Sequence, residues 1–167
     1  MSSSNIEEEL NLALQKIGRN VLHFQRMESM LKFLTSRAFL QGDAQNLRKN
    51  ISKNVSKSSE KTLGNLVKEY IEKIYLGEQK INESQFSVQF RVEADEKFIE
   101  ERKNALKDIV QQRNRLIHQM LLEFDQTSVA SCKKLSAILD EQNEKIKTEY
   151  LLIKEQVAAL VSAYKQI

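Results

Sequence analysis

Arg113-Asn114-Arg115-Leu116-Ile117-His118 lies inside a long amphipathic pattern and holds one of the chain's two histidines. Histidine titrates near neutral pH, and the planar guanidinium of arginine grips a phosphate through a fork of donors. One helical turn carrying both is either a helix-packing network or a phosphodiester-cleaving site. Upstream, Phe98, Ile99, Leu106, Ile109 and Val110 lead into the stretch. Downstream, Leu116, Ile117, Met120, Leu121 and Phe124 continue the period. The spacing predicts one helix from Ala94 or Asp95 through the motif, with room for a bend around Arg113. Asn114 and His118 are four apart and share a face. Arg113 and His118, five apart, fall on adjoining faces, and Arg115 points elsewhere.

The remaining chain supplies three further helices. The first is predicted from about Asn5 to Phe39 or Leu40, capped by Ser4 or Asn5 and begun by Glu7, Glu8 and Glu9. Its apolar stripe runs through Ile6, Leu10, Ala13, Ile17, Val21, Phe24, Leu31 and Ala38. Gly18, inside the stripe, suggests a close approach by another helix. Glu28 either falls in the stripe, where a buried carboxylate needs a partner, or lies at its edge beside a core Met27. His23 reads as a flank or core histidine. Thr62 caps a second helix that ends before Gly77 and buries Leu63, Leu66, Val67, Tyr70, Ile71 and Ile74. The last helix runs from about Thr127 to the end, with Cys132 as a small core residue.

Two segments stand apart from this pattern. After the Gln41–Asn46 break, Arg48, Lys49, Lys53, Lys57 and Lys61 meet a single acid, Glu60. This run is a short helix or a loop, and either a polyanion-binding patch or a solvated connection. Phe86, Val88, Phe90 and Val92 alternate with polar residues, a strand-like period. Without a visible ladder partner it is expected to be an extended excursion onto the helices, or to pair with its twin in a dimer.

Bulk composition narrows the class. The 167 residues suggest a single domain, 1–167, with a sizeable core. Proline is absent and glycine is confined to positions 18, 42, 64 and 77, which favours an all-α fold. A net charge of +3 permits a nucleic-acid substrate without demanding one. Cys132 is alone, so no intrachain disulfide or thiolate cluster is expected, and a cytoplasmic setting fits. The N-terminal stretch has neither the basic nor the apolar region of a signal peptide, and no apolar run is long enough for a bilayer.

The motif's residue types suit RNA cleavage. His118 is able to take the proton from a 2'-hydroxyl or give one to the leaving 5'-oxygen. Arg113 would neutralise charge gathering on the phosphoryl oxygens, and Asn114 would orient the histidine or substrate. One histidine does not easily serve as base and acid together, which is a reason to expect a homodimer. Two histidines do not make an ordinary zinc triad, and there is no Gly-rich phosphate loop. No metal or cofactor is expected.

These residues also resemble a known family. Arg113-Asn114-Arg115-Leu116-Ile117-His118 is similar to the Arg-x(4–6)-His signature of HEPN-domain proteins, with its polar residue directly after the arginine. Phe24-Gln25-Arg26-Met27-Glu28-Ser29-Met30-Leu31-Lys32 looks like the family's first-helix Glu and Leu-Lys pattern. Leu63-Gly64-Asn65-Leu66 looks like a second-helix element of some members. The resemblance spans roughly residues 5 to 165. It implies an antiparallel bundle of four main helices, with an extended insertion before the motif helix, usually dimeric across a cleft. It further implies a metal-independent ribonuclease of toxin–antitoxin or phage-defence systems. On this resemblance Arg113, Asn114 and His118 are catalytic candidates, Glu28 is accessory, and an antitoxin or regulatory protein is an expected partner. Arg115 joins the basic run as a possible RNA contact. A subgroup carries a modifiable tyrosine two residues after the histidine; here that position is Met120. The alternative is a noncatalytic helical interaction or regulatory subunit built on the same bundle.

Overall fold

A computed structural model describes residues 3–43, 45–82 and 85–165. Helix α1 spans Ser3–Arg37, α2 Leu47–Ser59, α3 Leu63–Tyr70, α4 Glu96–Arg115, α5 Leu121–Glu123 and α6 Val129–Tyr164. Strands β1 (Phe39–Gly42) and β2 (Phe86–Gln89) form an antiparallel pair, with Phe39 opposite Gln89 and Gly42 opposite Phe86. Among the described residues the fold is predominantly helical with one small ladder. The side chain of Ser4, one of the expected caps, lies outside the described residues, as do Ile167 and its neighbour at the expected end of α6.

The helix boundaries follow local chemistry. The Thr62 hydroxyl accepts from the Asn65 N–H at 3.4 Å, and the Asp95 carboxylate accepts from the Phe98 N–H at 2.7 Å. Beyond Tyr70 the α3 helix widens into a π turn, Ile71–Leu76. Gly77 ends it at φ +66°, and its N–H reaches back to the Glu72 carbonyl. The positive φ is what favours glycine there; a Cβ would meet only the Arg91 guanidinium, the far end of a flexible side chain. Gly18, by contrast, faces open space with no atom within 4 Å of a Cβ. The close helix approach expected there does not occur.

The chain forms two compact units, one of residues 1–26 and 108–151, the other of 27–107 and 152–167. In the first, Ala13, Phe24, Ile109, Leu116, Cys132, Leu139 and Ile146 are buried, as their spacing predicts. A polar network crosses this core. Asn20, fully buried, donates to the Leu139 carbonyl at 2.8 Å and to the Gln142 side-chain oxygen at 2.9 Å. Gln142 in turn donates to the Gln112 carbonyl at 3.2 Å. Segments of α1, α6 and α4 are joined in this way.

The second unit is built on Met27, Leu31, Leu34, Leu66, Tyr70, Ile74, Leu106 and Ile153. All six apolar positions predicted for the second helix are buried. Phe98 departs from expectation at 39% exposure, its ring 6.2 Å from that of Tyr75. β1 is the larger correction, because α1 ends at Arg37 and the next residues turn into a strand. The alternating segment therefore has a partner within the chain. The Phe90 N–H to Ala38 carbonyl bond, at 2.7 Å, extends the contact.

Gln156 sits between two phenols of this unit. It accepts from Tyr70 at 2.6 Å and donates to Tyr75 at 2.6 Å, and the two hydroxyls are 3.3 Å apart. Burial pushes the Tyr70 phenol far above its ordinary value, and Tyr75 adds to the effect while Arg102 opposes it. The unfolded chain therefore loses this proton near pH 10 while the folded chain keeps it. Stability from this group is complete below about pH 10 and falls above it, by up to about 1.4 kcal/mol per pH unit. Urea unfolding at pH 9 and 11 should show a drop that Tyr70→Phe reduces; an equal drop in both proteins would disprove the assignment.

Candidate functional site

The motif lies where the winding of α4 changes. After Arg115 the helix opens into a second π turn, Leu116–Met120, in which the Leu121 N–H reaches the Leu116 carbonyl five residues back. Leu116 and Met120 are buried and anchor the turn, while Ile117 and Leu121 are half-buried. His118 is left on the solvent side, in the middle of the wide turn. Such turns are uncommon and recur at functional sites.

Gln111, Asn114, Arg115, His118 and Gln119 line one shallow, open depression. Asn114 and His118 share a face, as their spacing predicts. Arg115 does not point elsewhere as expected: it precedes His118 by three residues and borders the same depression. Arg113 is half-buried and is not among the lining residues; its Nη1 donates to the Asn114 side-chain oxygen at 3.1 Å. The arginine thus holds the amide, and the amide stands beside the histidine. Gln111 and Gln119 were missed by the sequence reading. Their signal is ordinary helical spacing, three before Asn114 and four after Arg115.

Arg115 also borders a second cleft, of about 140 Å³, walled by Met120, Phe124, Leu135 and Ile138 with Glu123 and Lys134 also lining it. Arg115 therefore borders two depressions, each with a mixed polar and apolar lining.

The other candidates lie elsewhere in the chain. His23 is structural: its Nδ1 is 3.1 Å from the Asn143 side-chain oxygen, and its ring is 5.7 Å from Tyr150. Glu28 belongs to the second unit and takes the edge position, with Met27 fully buried beside it. Its carboxylate is ion-paired to Lys32 at 2.7 Å, one helical turn on. The basic run forms α2, on which Arg48, Lys49, Lys53 and Lys57 are exposed. Lys61 is turned away from them to Glu69, which also receives Lys73 at 2.7 Å. Burial works against the Glu69 charge, but the two lysines outweigh it and hold the carboxyl below its usual range. Among the described residues no helix is long and apolar enough to cross a membrane. Compared with protein families, curated proteins and solved structures, the chain matches none.

Proposed function

We propose that the chain is a metal-independent endoribonuclease of the HEPN type, a toxin or phage-defence effector that works as a homodimer. The observation that carries the reading is His118, exposed at the centre of a π turn and flanked by Asn114 and Arg115, with Arg113 bound to Asn114. On this reading the four main helices, α1, α3, α4 and α6, make the family's antiparallel bundle. β2 belongs to the insertion before the motif helix, and its partner β1 to the connection between α1 and α2.

The reaction needs two proton transfers and charge neutralisation. The 2'-oxygen loses its proton to a base and bonds to the adjacent phosphorus, the bond from phosphorus to the 5'-oxygen breaks, and that oxygen takes a proton from an acid. The products are a 2',3'-cyclic phosphate and a free 5'-hydroxyl. His118 performs one transfer and the same residue of a second copy performs the other. Arg113 and Arg115 supply positive charge for the phosphoryl oxygens. The cleft beyond Arg115 offers an apolar wall to a neighbouring base.

The test is purified protein with mixed RNAs in excess EDTA. Cleavage ending in 2',3'-cyclic phosphate is the expected outcome. Intact RNA would favour the interaction-subunit alternative, in which the same residues bind a protein partner.

A further inference from the structure

The chain's net charge of +3 is not spread evenly. Helix α2 carries four cations and no acid, so the rest of the chain balances to −1. Lysines on other elements are commonly spent on ion pairs: Lys16 with Asp140, Lys73 with Glu69, Lys133 with Glu9 and Lys145 with Asp108. Among the described residues Arg48, Lys49, Lys53 and Lys57 make no ion pair, and all four are exposed. Lys49, Lys53 and Lys57 recur every four residues, so they form a row rising about 6 Å per step.

The opposite side of α2 explains why this row faces outward. Asn50 donates to the Gln41 carbonyl at 2.9 Å, Asn54 donates to the Ser36 carbonyl at 3.3 Å, and Ser58 is buried. These contacts fix the rotation of the helix. The exposed side interleaves the cations with Ser52 and Ser56, and its large apolar side chain is Val55, at 39% exposure. A helix that inserts into a lipid surface needs a broad apolar face. A row of cations and hydroxyls without one suits phosphate oxygens.

We propose that the solvent face of α2 binds the phosphate backbone of RNA without reading its sequence, through Arg48, Lys49, Lys53 and Lys57. The inference deepens the ribonuclease reading by giving its substrate a second, non-cleaving contact. Binding is measured on the full-length wild-type chain with a labelled 2'-O-methyl RNA. That probe lacks the attacking hydroxyl, so binding is read apart from cleavage.

Each phosphate contact adds about 0.7 to the slope of log affinity against log salt for a single strand. Four contacts therefore give about 2.8, an approximately 50-fold loss of affinity between 50 and 200 mM salt. The Arg48→Gln, Lys49→Gln, Lys53→Gln, Lys57→Gln variant should lose most of that slope, with helicity checked by circular dichroism. A control with Lys97→Gln, Lys103→Gln, Lys133→Gln and Lys145→Gln removes the same charge from residues that are ion-paired. It should change the slope by less than about 1. Equal loss in both variants, or no loss in the first, overturns the proposal. So does α2-dependent binding to phosphatidylserine vesicles without RNA binding. Failure to bind the probe alongside cleavage in EDTA would overturn the α2 contact alone; failure of both would remove the ribonuclease reading as well.

Discussion

His118→Ala should lower the rate of RNA cleavage by about 100-fold or more while leaving the fold intact. The first part follows from the cost of losing a positioned proton-transfer group, typically a factor of about 10²–10⁴. The second follows from the residue's surroundings. His118 is exposed, and among the described residues no hydrogen bond reaches its ring. The anchors of the turn are Leu116 and Met120, which the substitution does not touch. Thermal unfolding should therefore match the wild type to within about 0.5 kcal/mol. Undiminished cleavage would sink the assigned role of the histidine. A large loss of stability would instead show that the ring supports the turn.

Asn20→Ala should have the opposite profile, with a large effect on stability and none through direct chemistry. Its amide is fully buried and bridges the Leu139 carbonyl and the Gln142 side chain. Removing it strips the Gln142 oxygen of its donor inside the core, and a stranded buried acceptor costs about 1–3 kcal/mol. Lost packing adds to this, so a total of about 2–4 kcal/mol is expected. For a chain of this length that corresponds to a melting temperature lower by roughly 5–15 °C. Calorimetry of the variant decides the matter, and a shift under about 2 °C would mean that the network does not form in solution. Because Gln142 also bonds to Gln112 on α4, the residue immediately before the motif, a weakened network also loosens the base of the site.

The helices were legible where the pattern was long and unambiguous. Leu63 to Ile74 repeats at helical spacing between a threonine cap and a glycine stop, and every predicted core position there is buried. β1 was not legible. Its four residues, Phe39-Leu40-Gln41-Gly42, do not alternate apolar with polar although their burial does, and they follow a helical stripe that runs on to Ala38. The pairing that makes it a strand comes from residues more than forty positions later, and local spacing does not register such a contact. The π turns were hidden for a related reason. A turn widened by one residue leaves the apolar count nearly unchanged, so Leu116 and Met120 fit an ordinary helix equally well.

The site was half readable. Spacing placed Asn114 with His118, and the same rule applied to Arg115 would have placed it there too. Glu28 and Met27 differ by one position on a stripe whose edge the sequence does not mark. Packing put the apolar neighbour inside and left the carboxylate to Lys32. The Asn20–Gln142–Gln112 network was invisible because buried amides leave no periodic trace.

The asparagine contacts under α2 bear on how this chain moves. Most helices here are held by interlocked apolar side chains, and releasing them would open the core. α2 is held in part by two side-chain amides on the backbone carbonyls of Gln41 and Ser36, with Leu47 and Ile51 only half-buried. Each such bond contributes about 0.5–1.5 kcal/mol. Excursions in which α2 lifts away while α3 stays folded therefore lie low on the energy scale of local unfolding. The segment that gathers the chain's surplus charge is thus held to its unit in part by polar side chains on backbone carbonyls.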